Sequence, residues 1–400
     1  MNRIKLTIWP MLFLILVGFA DVKLFARDHA HNIEAMTQAV SSWIQVNNNG
    51  FGNQQTEEVS ALEAFNNHLY AGTSNLIDGA QIFRSTDGVT WTAVTDPGFG
   101  SAHDTAPPAI LDMMVFDGYL YATTGRGNAA QIWRTVDGVN WARVVNAGFG
   151  DPDVVNMTVL AVYGSQLYVG AAKQDTGVQV WRTYTGDGNL SNWNQVATGT
   201  DPAIMTGLSV FNVDGGLYAA VQSETGAAAQ IWRSYGGALG TWTAVVSDGF
   251  GNNNTTLTGG LAEFNGYLYV GAGNIVDGAQ LWRSNDGVSW QQMITPGLGD
   301  PNSEKVESVF IFQNQLYVGV KNVSTGIEIW RLADGLAWEQ ANLDGFGDGN
   351  NAGTNGHNAT AEFLNQLYLG TANAVDGGEL WRKPLTLNER VYLPVVLRMP

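Results

Sequence analysis

The chain contains no cysteine, which excludes disulfides, thiolate metal sites, a cysteine nucleophile and a lipid-attachment cysteine together. Stability must come from packing. Positive charge is scarce: 19 Lys and Arg stand against 36 Asp and Glu, a net charge of −17 over 400 residues. That balance repels phosphate backbones and anionic lipid surfaces, so nucleic acid is not expected as a partner. Only 14% of residues are charged and only 11 are proline, whereas 45% are hydrophobic and 49 are glycine. Such a composition is globular and, with its many aromatics, suits short strands joined by tight turns. The histidines at 29, 31, 68, 103 and 357 show no metal-ligand spacing. Asp348-Gly349-Asn350-Asn351 falls short of a calcium loop. Neither a metal nor a cofactor is expected.

Long apolar runs are also missing. The longest, Leu6 to Ala20, is interrupted by Thr7, Pro10 and Gly18 and is short of the roughly 20 apolar residues that a membrane span needs. With Arg3 and Lys5 ahead of it and Ala20 or Ala26 as cleavage points, residues 1–26 read as a secretory signal, with an uncleaved anchor as the alternative. Residues 27–42 read as a linker. The protein is expected to be secreted or at the cell surface.

What the chain does have is a repeat. A Leu-Tyr pair recurs with its Tyr at 70, 121, 168, 218, 269, 317 and 368. An aromatic-Arg pair follows each, with the Arg at 84, 134, 182, 233, 283, 331 and 382, so the period is 47 to 51 residues. A second Trp follows at 91, 141, 193, 242, 290 and 338. The seventh repeat has none after Arg382, but Trp43, in WIQVNNNGFG (Trp43 to Gly52), stands alone before the first repeat. One module is split between the two ends of the chain, which implies a closed ring.

In the fifth copy, LAEF (Leu261 to Phe264), YLYVGAG, AQLWRSN and SWQQMI (Ser289 to Ile294) are each of strand length. Asn265-Gly266, Asn274 to Gly278 and Asp286-Gly287 separate them, and these are hairpin turn signals. Four antiparallel strands at a period near 50 predict an all-β, seven-bladed β-propeller. The N-terminal strand completes the C-terminal blade. The propeller spans 43–383 and a tail, 384–400, carries the apolar VYLPVVL (Val391 to Leu397). The Phe of Gly-Phe-Gly, at 51, 99, 149, 250 and 346 with Leu298 in a sixth copy, is expected to plug gaps between blades. The repeated Arg is expected to be structural, pairing with an Asp three residues on (Asp87, Asp137, Asp286) or binding carbonyls.

Ser85 to Trp91, STDGVTW, and Ser284 to Trp290, SNDGVSW, resemble the Asp-box of sialidase-like propellers, although one residue shorter between Asp and Trp. The blade as a whole resembles a kelch-type repeat without its full double glycine. Both resemblances imply a propeller. A sialidase would also need an arginine triad introduced by Phe-Arg-Ile-Pro and a Tyr-Glu nucleophile pair, which the sequence does not contain. The copper and cysteine-linked tyrosine of galactose-oxidase-like propellers cannot be built without cysteine.

In a propeller, the fourth-to-first and second-to-third strand loops share one face. The first set is long and polar here: Ser101 to Ala109, Asp151 to Met157, Asn252 to Thr258 and Asp348 to Thr360. That face is the expected binding surface. Five residues after each repeat Tyr stands Asn75, Arg126, Lys173, Ser223, Asn274, Asn322 or Asn373, a candidate ring of donors and acceptors for sugar hydroxyls. Asn also suits left-handed turn positions, which is the structural alternative. The first-strand acids Glu63, Asp112, Glu263 and Glu362 are candidates for a channel carboxylate site or for solvated rim charges. Sequons occur at Asn156, Asn189, Asn253, Asn254, Asn322 and Asn358. The expected function is a non-enzymatic binding or scaffold module, a monomer, that recognises an extracellular glycan or protein. A carbohydrate-active hydrolase or lyase and a structural surface protein are the alternatives.

Overall fold

In the computed structural model the described residues are 43–384, apart from 102–106, 128–129, 175–176, 200–202, 334–336 and 355. The expected signal, the linker and all of the tail after Pro384 lie outside the described residues. Repeats are numbered by their Leu-Tyr pairs, from Tyr70 in repeat 1 to Tyr368 in repeat 7.

Repeat 5 shows how sequence becomes sheet. Its strands are Thr255–Phe264, Tyr267–Asn274, Gly278–Ser284 and Gln291–Gln292, paired antiparallel in that order. Asn265 and Gly266 both adopt positive φ (49° and 76°), the two-residue turn whose twist matches that of the flanking strands. Five four-stranded antiparallel sheets of this kind stand alone. Repeats 1 and 2 share one eight-stranded sheet, joined only through the pair Ser74–Ala109.

The first strands stand side by side in chain order: Glu58–Phe65, Ala109–Phe116, Val154–Tyr163, Ala203–Phe211, Thr255–Phe264 and Ser303–Phe312. The last, Thr360–Phe363, packs beside Glu58–Phe65. The sheets therefore close on themselves around an axis lined by first strands, which is a propeller ring.

The N-terminal strand sits at the closure. Ile44 and Gln45 pair with Arg382 and Trp381, Val46 N–H donates to Leu380 O (2.8 Å), and Leu380 N–H donates to Asn47 Oδ1 (2.7 Å). Trp43 is buried and donates its indole N–H to Ala341 O in repeat 6 (2.8 Å). A second closure contact joins repeat 7 to repeat 1. The second-strand Tyr of each of several repeats points into the Asp-Gly or Gly-Gly turn of the next. A methyl on Gly138 would fall 1.7 Å from the Tyr70 hydroxyl, and one on Gly88 would fall 1.9 Å from that of Tyr368. Only glycine leaves room there.

Aromatic boxes join neighbouring sheets. Phe99 leaves repeat 1 and stacks on Trp133 of repeat 2 (4.2 Å, 4°), with its edge against Trp141. Phe149 lies likewise on Trp181 and Trp193, Phe250 on Trp282 and Trp290, Phe346 on Trp381 and Trp43, and Phe51 on Phe83 and Trp91. Such pairs contribute about 0.5–1.5 kcal/mol each beyond area burial. The expected plug is thus a ring inserted into the next repeat's pair of aromatics. The third-strand Trp indoles are satisfied by the side chain two residues earlier, as in Trp181 to Gln179 (2.8 Å) and Trp330 to Glu328 (2.8 Å).

Two of the repeated arginines, Arg134 and Arg182, take the carbonyl alternative, whereas Arg331 pairs with Glu339 (3.1 Å) and Arg283 donates to Gln291 Oε1 (3.3 Å). Arg134 donates to Tyr121 Oη (3.2 Å) and Gly186 O (3.1 Å), and Arg182 to Tyr168 Oη and Gly236 O. The Asp three residues on serves its own turn. Asp87 Oδ1 accepts from the N–H groups of Val89 and Thr90 (2.8 and 2.7 Å), and these bonds hold its carboxyl well below the usual range. The expected Arg–Asp ion pair is therefore corrected: short backbone donors within the turn outcompete a guanidinium across it.

Candidate functional site

The first strands begin, and the second strands end, on the loop-rich face, where they enclose an axial cavity of about 370 Å³. It is blind. The turn Gly356–Ala359 of repeat 7 packs against the first strands of repeats 1, 2, 4, 5 and 6. From it Asn358 Nδ2 donates to Leu111 O and Thr158 O (both 3.0 Å), tying three repeats together. Asn358 is buried, and its Oδ1, at the cavity wall, meets no donor among the described residues.

The wall is ionic. Glu58, buried, receives Arg126 Nη1 at 2.5 Å, and Ser74 Oγ lies 3.3 Å from the same nitrogen. Glu307 Oε2 accepts the Thr354 N–H (2.8 Å), while its Oε1 lies 3.7 Å from Lys305 Nζ. Burial pushes the Glu307 carboxyl up, against the pull of Lys305 and the Thr354 N–H. Lys321 completes the set and pairs with Glu304 at 3.0 Å. Apart from the seven repeat arginines, the basic residues between Trp43 and Lys383 are Arg126, Arg143, Lys173, Lys305, Lys321 and Lys383. Three of these six line this one cavity.

The candidate ring is divided by burial. Asn75, Asn274, Asn322 and Asn373 are buried, and each Oδ1 accepts two N–H groups of the following loop. Their Nδ2 groups turn to neighbours such as Asp300 (2.9 Å from Asn322) and Asp348 (3.0 Å from Asn373). These amides hold their loops through side-chain acceptance, and none of the four asparagines has the positive φ of a left-handed turn position. Ser223 Oγ likewise accepts from Thr225 and Ala227. Lys173 is held by Asp151 (2.6 Å). Of the seven, Arg126 alone lines the axial cavity.

Nor do the four acids form one set. Glu63 and Asp112 are close enough for the Glu63 charge to raise the Asp112 pKa, after burial has raised it most. Burial pushes Glu63 itself up to about 7. Asp112 is locked by the N–H groups of Leu160 (2.6 Å) and Met113 (2.7 Å). Glu263 instead accepts from Asn212 (2.6 and 2.9 Å), and Glu362 is exposed. Register separates them: Glu63 pairs with Tyr70, but Glu263 with Leu268 and Glu362 with Leu367. A one-residue offset turns a side chain to the other face. Lys305, Lys321 and Glu307 were not singled out from sequence; the signal was that they break the repeat. Among the described residues, no group of three His, Asp or Glu could hold a metal. Of the sequons, Asn322 and Asn358 are buried, while Asn189, Asn253 and Asn254 are exposed.

Closed ring, four-stranded sheets and axial cavity together define a β-propeller. No protein-family model and no curated protein matches the sequence. Solved structures do. Two prolyl endopeptidases are represented by a structure at 13% identity and TM-score 0.52, covering 83% of this chain and 51% of theirs. The extracellular domain of a hybrid two-component system from B. thetaiotaomicron aligns at 13% identity and TM-score 0.54, over 84% of this chain and 40% of its own. A puromycin-hydrolyzing peptidase of Mycobacterium tuberculosis aligns at 8% identity and TM-score 0.52, over 82% and 52%. The chain spans about half the length of these proteins or less, and the likeness is one of fold.

Proposed function

We propose that the chain is a secreted seven-bladed β-propeller over 43–383, exported behind 1–26, with kelch- or Asp-box-like blades. The eight-stranded sheet counts as two blades. It acts as a binding module at the axial cavity of the loop-rich face, and its ligand is an extracellular glycan. The observation that carries this reading is the gathering of Arg126, Lys305 and Lys321 around one axial cavity in a chain of net charge −17. Fixed cations, the Asn358 carbonyl and backbone groups offer the mixed donors and acceptors that hydroxyls require. About 370 Å³ is at the small end of ligand cavities, enough for one or two sugar units.

Hydrolysis is the competing reading, supported by the Glu63–Asp112 pair. One experiment separates the two: a glycan array on the full chain, followed by turnover assays on every hit. Retention without turnover, weakened at least tenfold in Lys305→Ala/Lys321→Ala, is the expected result. Product release would replace binding with catalysis, and retention unchanged in that variant would remove the axial cavity from the reading.

A further inference from the structure

Among the described residues, the aromatic boxes above are filled at every junction but one. Phe51, Phe99, Phe149, Phe250 and Phe346 cover the third-strand aromatics of repeats 1, 2, 3, 5 and 7. Leu298 packs in one cluster with Trp330 and Trp338 of repeat 6. Repeat 4 has the same pair, Trp232 and Trp242, both half-buried. Repeat 3, which should supply the plug, has no Gly-Phe-Gly. Gly199 N–H donates to Val178 O (2.7 Å), as the first glycine of the motif does elsewhere (Gly98 to Ala80, 2.8 Å; Gly148 to Ala130, 2.9 Å). In sequence, therefore, Thr200-Asp201 stands where Phe-Gly stands in the other repeats.

At this junction lie two adjoining cavities, of about 260 and 390 Å³, which share Thr198, Gln230 and Trp232. Trp242 lines the larger, and Val178, Val221 and Ser223 line the smaller. The indole of Trp232 is already positioned: its N–H donates to Gln230 Oε1 (2.7 Å), the bond that holds the covered indoles of repeats 2, 3 and 5. The platform is thus built as in the filled boxes, while the sequence has no aromatic at the motif position.

We propose that the repeat-4 box is a docking site for a partner polypeptide, which inserts a phenylalanine of a Gly-Phe-Gly-type segment between Trp232 and Trp242. The occupant is argued from the molecule itself. Five equivalent boxes accept this side chain, stacked at 4.1 to 4.7 Å between ring centroids with interplanar angles of 4° to 11°. In each the ring follows a glycine with positive φ, such as Gly98 (56°) before Phe99. A partner segment needs the same flexible flank and, against a chain of charge −17, no acidic residues of its own. This site is independent of the axial cavity.

The test uses the full chain and the blocked peptide Ser-Gly-Phe-Gly-Asn, with Ser-Gly-Ala-Gly-Asn as control, followed by the indole N–H signals of the tryptophans. Saturable shifts at Trp232 and Trp242, absent with the alanine peptide, are expected. Trp232→Ala should weaken binding at least tenfold. Thr200→Phe with Asp201→Gly rebuilds the motif and should abolish binding while raising the melting temperature, which keeps the test decisive if Trp232→Ala fails to fold. Shifts confined to other tryptophans, equal shifts with the alanine peptide, or undiminished binding in the rebuilt variant would overturn the proposal. A methyl pyranoside that shifts these two indoles when the phenylalanine peptide does not would also overturn it.

Discussion

Ring closure predicts that residues 88 and 368, at opposite ends of the chain, are energetically coupled. Gly88 has φ 72°, and a methyl there would stand 1.9 Å from the Tyr368 hydroxyl and 2.5 Å from its ring carbon. Gly88→Ala therefore meets two costs. A left-handed alanine costs about 1 kcal/mol or more, and overlap with a fully buried Tyr368 adds about 1–3 kcal/mol. Gly226→Ala isolates the first cost, because Gly226 has φ 80° with no atom within 4 Å of the added methyl. Tyr368→Leu removes the obstructing end of the ring and should itself cost about 2–3 kcal/mol. In the double variant the overlap is relieved, so the two changes should total about 1–2 kcal/mol less than their sum. Urea titrations read by tryptophan fluorescence give all four stabilities. If the changes add within about 0.5 kcal/mol, or if Gly88→Ala costs no more than Gly226→Ala, repeat 7 does not pack on repeat 1 and the closed ring is refuted.

Two further outcomes follow from buried polar groups. Glu63 has its pKa raised from 4.5 to about 7, so the folded state holds its proton where the unfolded chain has released it. Its contribution is fully present below about pH 4.5 and declines as pH rises, reaching a loss of about 3 kcal/mol once the folded pKa is passed. Glu63→Gln should flatten the melting-temperature profile between pH 5 and 7, and a profile parallel to the parent would refute the burial argument, since the neighbouring Asp112 remains in both. Asn373→Ala leaves two loop N–H groups without their acceptor and should cost about 1–3 kcal/mol, with faster amide exchange in residues 374–377; unchanged exchange there would show that the loop holds itself.

The repeat made most of the architecture readable in advance. Period, turn pairs and the isolated Trp43 are local signals repeated many times, and the four-stranded sheets and the 44–45 to 381–382 pairing follow them. Side-chain partnerships were less legible because they depend on direction across strands. Asp87 lies three residues from Arg84, yet it caps its own turn. The four loop asparagines stand at a rim position in sequence, but the Asx-type turn draws their carbonyls inward. Glu63 and Glu263 look alike in a list of first-strand acids, and one residue of register parts them. The inward path of Gly356–Ala359 had no local signal beyond the length of its loop, because what directs it is the contact of Asn358 with carbonyls about 200 and 247 residues away.

A repeated blade states what the fold requires, and a repeat that departs from it must do so for another reason or at a cost. At the second-strand terminus the required residue is Asn, kept in repeats 1, 5, 6 and 7, where its carbonyl holds the loop. Repeats 2 and 3 replace it with Arg126 and Lys173, and repeat 4 with Ser223, whose hydroxyl still accepts two loop N–H groups. Arg126 reaches the axial cavity and Ser223 lines the cavity beside Trp232, and the missing Gly-Phe-Gly falls between repeats 3 and 4 in the same sector. Two of the three replacements, Arg126 and Ser223, thus stand at the walls of the cavities on which the two proposals rest, while Lys173 pairs with Asp151. The sector built from repeats 2 to 4 is therefore where selection for binding, rather than for the ring, is expected to have acted.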